Sequence, residues 1–192
     1  MKKILIIITI FFSTISTISA EEIKRIVVGN KDAKITIIAF ESLTCSHCAN
    51  FHKDVFPELK KEYLDTGLAK IEFRHFPLDI AAFNASKVSQ CNNDGDSKIL
   101  NSFYANQQKW VKGSSVQEAN ENLKKFLVSE GYNVDFEKCI NDKEIEDFVL
   151  NDRIDAVKKF KISSTPTIII NDKKFEKTLN YKNLKKALEK LI

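Results

Sequence analysis

ITIIAFESLTCSHC, residues 35–48, opens apolar and closes on two thiols. Ile35 to Phe40 is a β-branched run, apolar enough for a strand buried on both faces. Cys45 and Cys48 stand three positions apart at the head of a segment with helical periodicity. There Phe51, Val55, Phe56 and Leu59 make one stripe. A strand that ends in CxxC and runs into a helix is an arrangement for thiol–disulfide exchange. The helix start lends partial positive charge to the first sulfur, which favours its thiolate. The second thiol sits one turn along, within reach to resolve a mixed disulfide.

Outward from this stretch the chain reads as α/β. Residues 23–29, IKRIVVG, form a short edge strand that ends at Gly29. The helix runs toward Tyr63 and stops near Gly67, and Pro57 inside it is expected to kink or restart it. Leu68 to Phe76 is a second central strand, ended by Pro77, and the βαβ order makes it parallel to the first. Residues 80–160 change character and read as a helical subdomain. Ala81, Ala85 and Val88 share a face, and Asn92 to Asp96 is a turn. Ile99, Phe103 and Tyr104 begin another helix that ends near Gly113. Ser114 or Ser115 caps the next, with Val116, Ala119, Leu123, Phe126 and Leu127 on one side and Gly131 as its stop. A further helical stretch holds Ile145, Phe148, Val149, Ala156 and Phe160. The strand pattern returns from Thr165 to Ile170. Asn171-Asp172-Lys173 is a hairpin turn, and a short strand follows near Phe175. An amphipathic helix through Leu184, Ala187, Leu188 and Leu191 closes the chain.

A length of 192 residues suits one domain, or one domain with an insertion, and 43% hydrophobic residues supply a core. The net charge of +4 is small, the lysines are interleaved with acids, and no basic stripe argues for nucleic acid. Lys2 and Lys3, the apolar run Ile4 to Phe12 and a Ser/Thr stretch ending at Ala20 read as a secretory signal. Cleavage is expected after Ala20, or after Ser19. The alternative is an uncleaved anchor, for which the apolar run is short against the roughly 20 residues that span a bilayer. Residues 21–192 are then the mature domain. Export implies an oxidising compartment in which cysteine pairs persist. Four cysteines allow three pairings, and setting the CxxC pair aside leaves Cys91 with Cys139. Such a bridge would stabilise by about 4 kcal/mol in the chain-entropy model. The alternative is two separate buried thiols.

The strand leading to CSHC (45–48), FRHFPLD (73–79), the helical region and the late SSTPTIII (163–170) together resemble the DsbA family of exported thiol–disulfide oxidoreductases. The resemblance covers nearly the whole mature chain. It implies a thioredoxin fold with an inserted helical subdomain, about residues 80–160. It implies a redox-active cysteine pair with no other cofactor, exported protein thiols as substrates, a DsbB-like membrane reoxidant and a periplasmic location; a monomer is expected, though the sequence itself does not give the oligomeric state. The family's cis-proline maps onto Pro166 with Thr165 before it. There it would hold the Thr165 backbone for an extended substrate and keep metal from the CxxC. The bland reading is an ordinary trans proline at a strand start.

Cys45 is the expected nucleophile and Cys48 its partner. His47 is a cation or hydrogen-bond donor near Cys45, or an exposed helix residue without a special role. The resemblance also implies a buried acid six residues before the first cysteine. That position is Ala39, and Glu41 lies on the same strand face. Glu41 either takes the acid's place or is a solvated charge; both readings stand open. Ser-His between the cysteines and Thr165 before Pro166 leave open whether the protein oxidises, or reduces and isomerises. A metal site is the competing chemistry, since Cys45, Cys48 and His52 have C-x2-C-x3-H spacing with His47 nearby. Otherwise His52 and His75 are surface or packing residues. Trp110 is core or lines a groove, and the Lys-rich final helix is a solvated face.

Overall fold

The computed structural model describes residues 22–192; the expected signal segment, Met1 to Ala20, lies outside them. Five strands form one sheet in the order β1-β3-β2-β4-β5. They are β1 (Ile26–Gly29), β2 (Ile35–Glu41), β3 (Ala69–His75), β4 (Thr167–Ile170) and β5 (Lys173–Lys174). β2 runs parallel to β3, in the register Ile37 to Ile71, and antiparallel to β4. β2 therefore sits at the centre of the sheet. Its alternation sorts side chains to two faces. Ile37 and Ala39 join the larger core, while Ile38 and Phe40 join a smaller one with Phe76, Ala156, Ile162 and Ile169. Burying a side chain such as Phe40, which is fully enclosed, is worth about 2 kcal/mol. Gly29 closes β1 at φ +105°, and a Cβ there would stand 2.5 Å from the Ala69 carbonyl oxygen. That close approach requires glycine.

Helix α1 (Ser46–Asp54) leaves β2 directly. The chain breaks at Val55 and restarts as α2 (Phe56–Leu59), with Pro57 in its first turn. Proline's missing N–H is harmless there, which is why the helix restarts rather than bends. A wide turn over Lys60–Leu64, with the Asp65 amide donating to the Lys60 carbonyl, completes the run. Between β3 and β4 lie α3 (Ile80–Gln90), α4 (Lys98–Ala105), α5 (Gln107–Trp110), α6 (Val116–Ser129), α7 (Phe136–Asn141) and α8 (Lys143–Phe160). The α/β thioredoxin fold with an inserted run of helices is thus present.

Several boundaries carry local chemistry. Ser115 caps α6 by accepting from the Glu118 amide, and the Glu118 carboxylate returns to the Ser114 amide at 2.7 Å. Asn171 and Asp172 both have positive φ, so two residues turn β4 into β5. Cys91, at the end of α3, is bridged to Cys139 of α7 with Cα atoms 5.4 Å apart. The face expected at Ala81, Ala85 and Val88 differs at one position. Ala85 and Val88 are enclosed as expected, and Ala82 rather than Ala81 is buried with them, because α3 is packed by α6, α7 and α8 and is buried from Asn84 to Gln90. Val116 is exposed, since it is the first residue of α6 and precedes the buried stripe. Trp110 is core, its indole N–H donating to the Phe103 carbonyl at 2.9 Å. The last helix, α9 (Tyr181–Leu188), buries Leu184 and Leu188 and leaves most of its lysines at the surface. Among the described residues no helix is long and apolar enough to cross a membrane.

Candidate active site

The two free thiols stand where the central strand hands over to α1. Ser42 to Thr44 turn the chain, and the Cys45 amide donates to the Ser42 carbonyl at 3.0 Å. Cys45 is the N-cap of α1: its carbonyl accepts from the amides of Cys48 and Ala49, at 3.1 and 3.2 Å. Its sulfur therefore lies at the positive end of the helix. Its thiol is pulled down from the usual 9.0 to about 5. A hydrogen bond from the Cys48 thiol is the largest cause, opposed by partial burial. The Thr165 hydroxyl and the amides of Cys48 and His47 add to it. Cys48 is fully enclosed. Burial pushes its thiol far up, aided by Cys45 and by the Glu41 charge. One helical turn thus holds one thiol that ionises readily and one that does not.

The Thr165–Pro166 peptide bond is cis. The Thr165 carbonyl lies 3.5 Å from the Cys45 sulfur, across 120 residues of sequence. His47, Thr165 and Pro166 line one groove of about 470 Å³ together with Phe51, Leu179 and Tyr181. The His47 imidazole is exposed in that groove, and the residue acts on the sulfur through its backbone amide. Glu41 is 3% exposed, which overturns its reading as a solvated charge. Its Oε2 lies 2.8 Å from His52 Nε2. His52 is in turn stacked on Tyr104, ring centroids 4.0 Å apart, and flanked by Phe73 and Phe56. The imidazole is committed to the carboxylate rather than to the two sulfurs. Among the described residues no three His, Cys, Asp or Glu side chains converge to hold a metal ion.

Residues 21–190 match the family model described as Thioredoxin. The crystal structure of Wolbachia pipientis alpha-DsbA1 is similar at 30% identity and a TM-score of 0.77, covering 87% of this chain and 90% of that one. The chain belongs to the DsbA family. A putative protein-disulfide oxidoreductase of Rickettsia bellii is 29% identical over 170 residues, 86% of this chain and 64% of that protein. Disulfide bond formation protein D of Bacillus subtilis is 27% identical over 181 residues, 85% of this chain and 75% of that one. The chain thus spans a little under two thirds of the Rickettsia bellii relative's length.

Two contacts of this DsbA-family site left no trace in the sequence pattern. Gln107, first residue of α5, donates from Nε2 to the carbonyls of Leu43 and Cys45, at 2.7 and 3.0 Å. It ties the helical insertion to the turn before the reactive sulfur. Thr44 donates to Asp79 at 2.7 Å, and Asp79 also caps α3 through the Ala82 amide. A lone Gln in a polar stretch carries no periodic signal. The capping box at Ser115 does, because its partner is three residues away.

The environment of Cys45 predicts a titration. Ultraviolet thiolate absorbance of the reduced protein, minus that of Cys45→Ser, is expected to fall with a midpoint near pH 5. The folded value lies below the unfolded one. The thiolate's contribution to the reduced fold is therefore complete above the unfolded pKa and is lost as pH falls through about 5. A midpoint near 9 would remove the electrostatic account of Cys45.

Proposed function

We propose that this chain is a dithiol–disulfide oxidoreductase that introduces disulfide bonds into other exported proteins. A substrate thiolate attacks the Cys45 sulfur of the oxidised pair, and the Cys45–Cys48 bond breaks with its electrons passing to Cys48. A second substrate thiolate then attacks the substrate sulfur and releases Cys45 as thiolate. The substrate loses two electrons and the cysteine pair gains them. A well-stabilised thiolate is a good leaving group, so the environment of Cys45 drives the disulfide outward. The observation that carries the reading is the juxtaposition of the Cys45 sulfur, the first turn of α1 and the Thr165 carbonyl at 3.5 Å. Thr165 and Pro166 offer backbone to an extended substrate beside the sulfur. The cysteine pair serves without a further cofactor, and a DsbB-like quinone reductase in the membrane reoxidises it. The leader-like Met1 to Ala20 supports export to the periplasm, where the protein acts as a monomer.

The test is equilibration of the Cys45–Cys48 pair with glutathione in a protein lacking Cys91 and Cys139. A reduction potential well above thioredoxin's, about −270 mV, and toward about −120 mV supports an oxidase. A value at or below thioredoxin's assigns the reducing or isomerising role instead.

A further inference from the structure

Pro166 stands between two hollows that differ in charge. One is the groove of about 470 Å³ that holds His47, with Asp54 as its acid. The other, of about 240 Å³, lies between Ser164, Pro166 and Thr167 on one side and Lys174, Glu176 and Lys177 on the other. The wall that carries the two lysines is fastened at both ends. The Phe175 amide donates to the Ile168 carbonyl at 2.8 Å, and Asn183 Nδ2 donates to the Thr178 carbonyl at 3.0 Å. Its backbone is thus set beside the cis-proline turn before anything binds, which lowers the cost of binding. Lys174, Glu176 and Lys177 are exposed, and none has an ion-pair partner among the described residues. Lys185 of α9, by contrast, is held by Glu62 at 2.6 Å. From Thr165 to the C-terminus seven lysines face three acids, a surplus equal to the +4 of the whole chain. Lysine on an open edge strand also deters unwanted strand pairing. That accounts for Lys173 and Lys174 in β5, but Lys177 lies beyond the strand.

We propose that Lys174 and Lys177 form a subsite for an acidic side chain, Asp or Glu, that lies close to the reacting cysteine in the substrate polypeptide. The subsite rests on the thiol-exchange reading above and adds to it a choice among substrates. An extended chain laid along the Thr165 backbone presents its cysteine to the Cys45 sulfur, 3.5 Å from the Thr165 carbonyl. Each further residue advances that chain by about 3.3 Å, so side chains within two or three positions of the cysteine reach the hollows beside Pro166. In the smaller hollow a substrate carboxylate meets two ammonium groups against the single carboxylate of Glu176. In the larger groove it meets Asp54 and no lysine. Attraction on one side and repulsion on the other orient the substrate as well as select it. The lysines take no part in the exchange of electrons between sulfurs. Exposed ion pairs are individually weak and screened by salt, so the selection amounts to a several-fold difference in rate.

Reduced cysteine peptides of one length test this, with Glu, Gln or Lys placed in turn at each position near the cysteine. The oxidised protein is mixed with excess peptide and quenched by alkylation, and loss of the Cys45–Cys48 bond is followed by mass. Each rate is divided by that of the same peptide with hydroxyethyl disulfide, a neutral reagent, which removes the peptide's own thiol reactivity. At low ionic strength the Glu peptide is expected to outpace the Gln peptide about 5-fold at one or two positions, and the Lys peptide to trail both. The difference should fade in about 0.5 M salt. In Lys174→Gln with Lys177→Gln the Glu and Gln peptides should react alike, and in Lys174→Glu with Lys177→Glu the Lys peptide should lead. Each comparison is made within one protein, so a variant's stability or potential cancels from it. Lys182→Gln with Lys186→Gln removes as much charge from the exposed face of α9 and should keep the preference. An equal loss in that variant, or a Glu preference alike at every position, overturns the subsite and leaves only general attraction to a basic face. So does the lack of any preference in the wild type. Loss of binding to vesicles of phosphatidylcholine and phosphatidylglycerol in Lys174→Gln with Lys177→Gln would then assign the lysines to an anionic bilayer surface. Failure of every peptide to reduce the pair would instead defeat the thiol-exchange reading itself, and the subsite with it.

Discussion

Cys45→Ser is expected to lose disulfide exchange by more than about 1,000-fold, the largest effect of any single change in this protein. The sulfur at the head of α1 is the half-buried one, and its thiol is pulled down to about 5 by Cys48, Thr165 and the helix amides. A hydroxyl in its place neither ionises near neutral pH nor forms a disulfide. Cys48→Ser should behave differently. Cys45 would still be captured by a disulfide, but with no second sulfur beneath it the mixed disulfide would persist and show as the added mass of the reagent. The two variants together order the steps. Exchange retained in Cys45→Ser, or capture at Cys48 in that variant, would refute Cys45 as the nucleophile.

Asp152→Ala is expected to cost about 3 kcal/mol of stability, and roughly 10 °C in Tm for a domain of this size. Asp152 is 1% exposed. It accepts from Arg25 at 2.6 Å and from the His75 amide at 3.0 Å, so α8 is pinned to β3 and to the segment before β1. Arg25 is 32% exposed and can turn to water, so its share is discounted. The larger share is the buried His75 amide left without an acceptor. Asp152→Asn, which keeps one acceptor oxygen, should lose about 1 kcal/mol. Urea unfolding of the oxidised proteins measures both, and an Ala variant within 1 kcal/mol of wild type would show that the cluster relaxes without loss. The same cluster sets an acid limit. Burial holds the His75 ring down to about 4, against the ordinary 6.5. The unfolded chain therefore binds this proton first, and stability is lost as pH falls from about 6.5 toward 4.

The sequence by itself determined the elements and the reactive pair. The apolar run of β2, the CxxC at the head of α1, the restart at Pro57, the capping serine at 115 and the Asn171–Asp172 turn are all local. Each depends on residues within about four positions, where backbone sterics and periodicity act directly. The resemblance carried by CSHC and SSTPTIII extended this to the fold. Tertiary structure alone decided the electrostatics of the site. Glu41 reads as a charge on a strand end, and becomes a buried partner of His52 only because Tyr104 and Phe73 close over the imidazole. Gln107 reaches Cys45 across 62 residues, and Arg25 reaches Asp152 across 127. Periodicity reports which face of a helix or strand is apolar, and nothing about which polar group waits on the next element. A charge or an amide acquires its meaning from the dielectric and the partners around it, and those exist only once the chain has closed on itself.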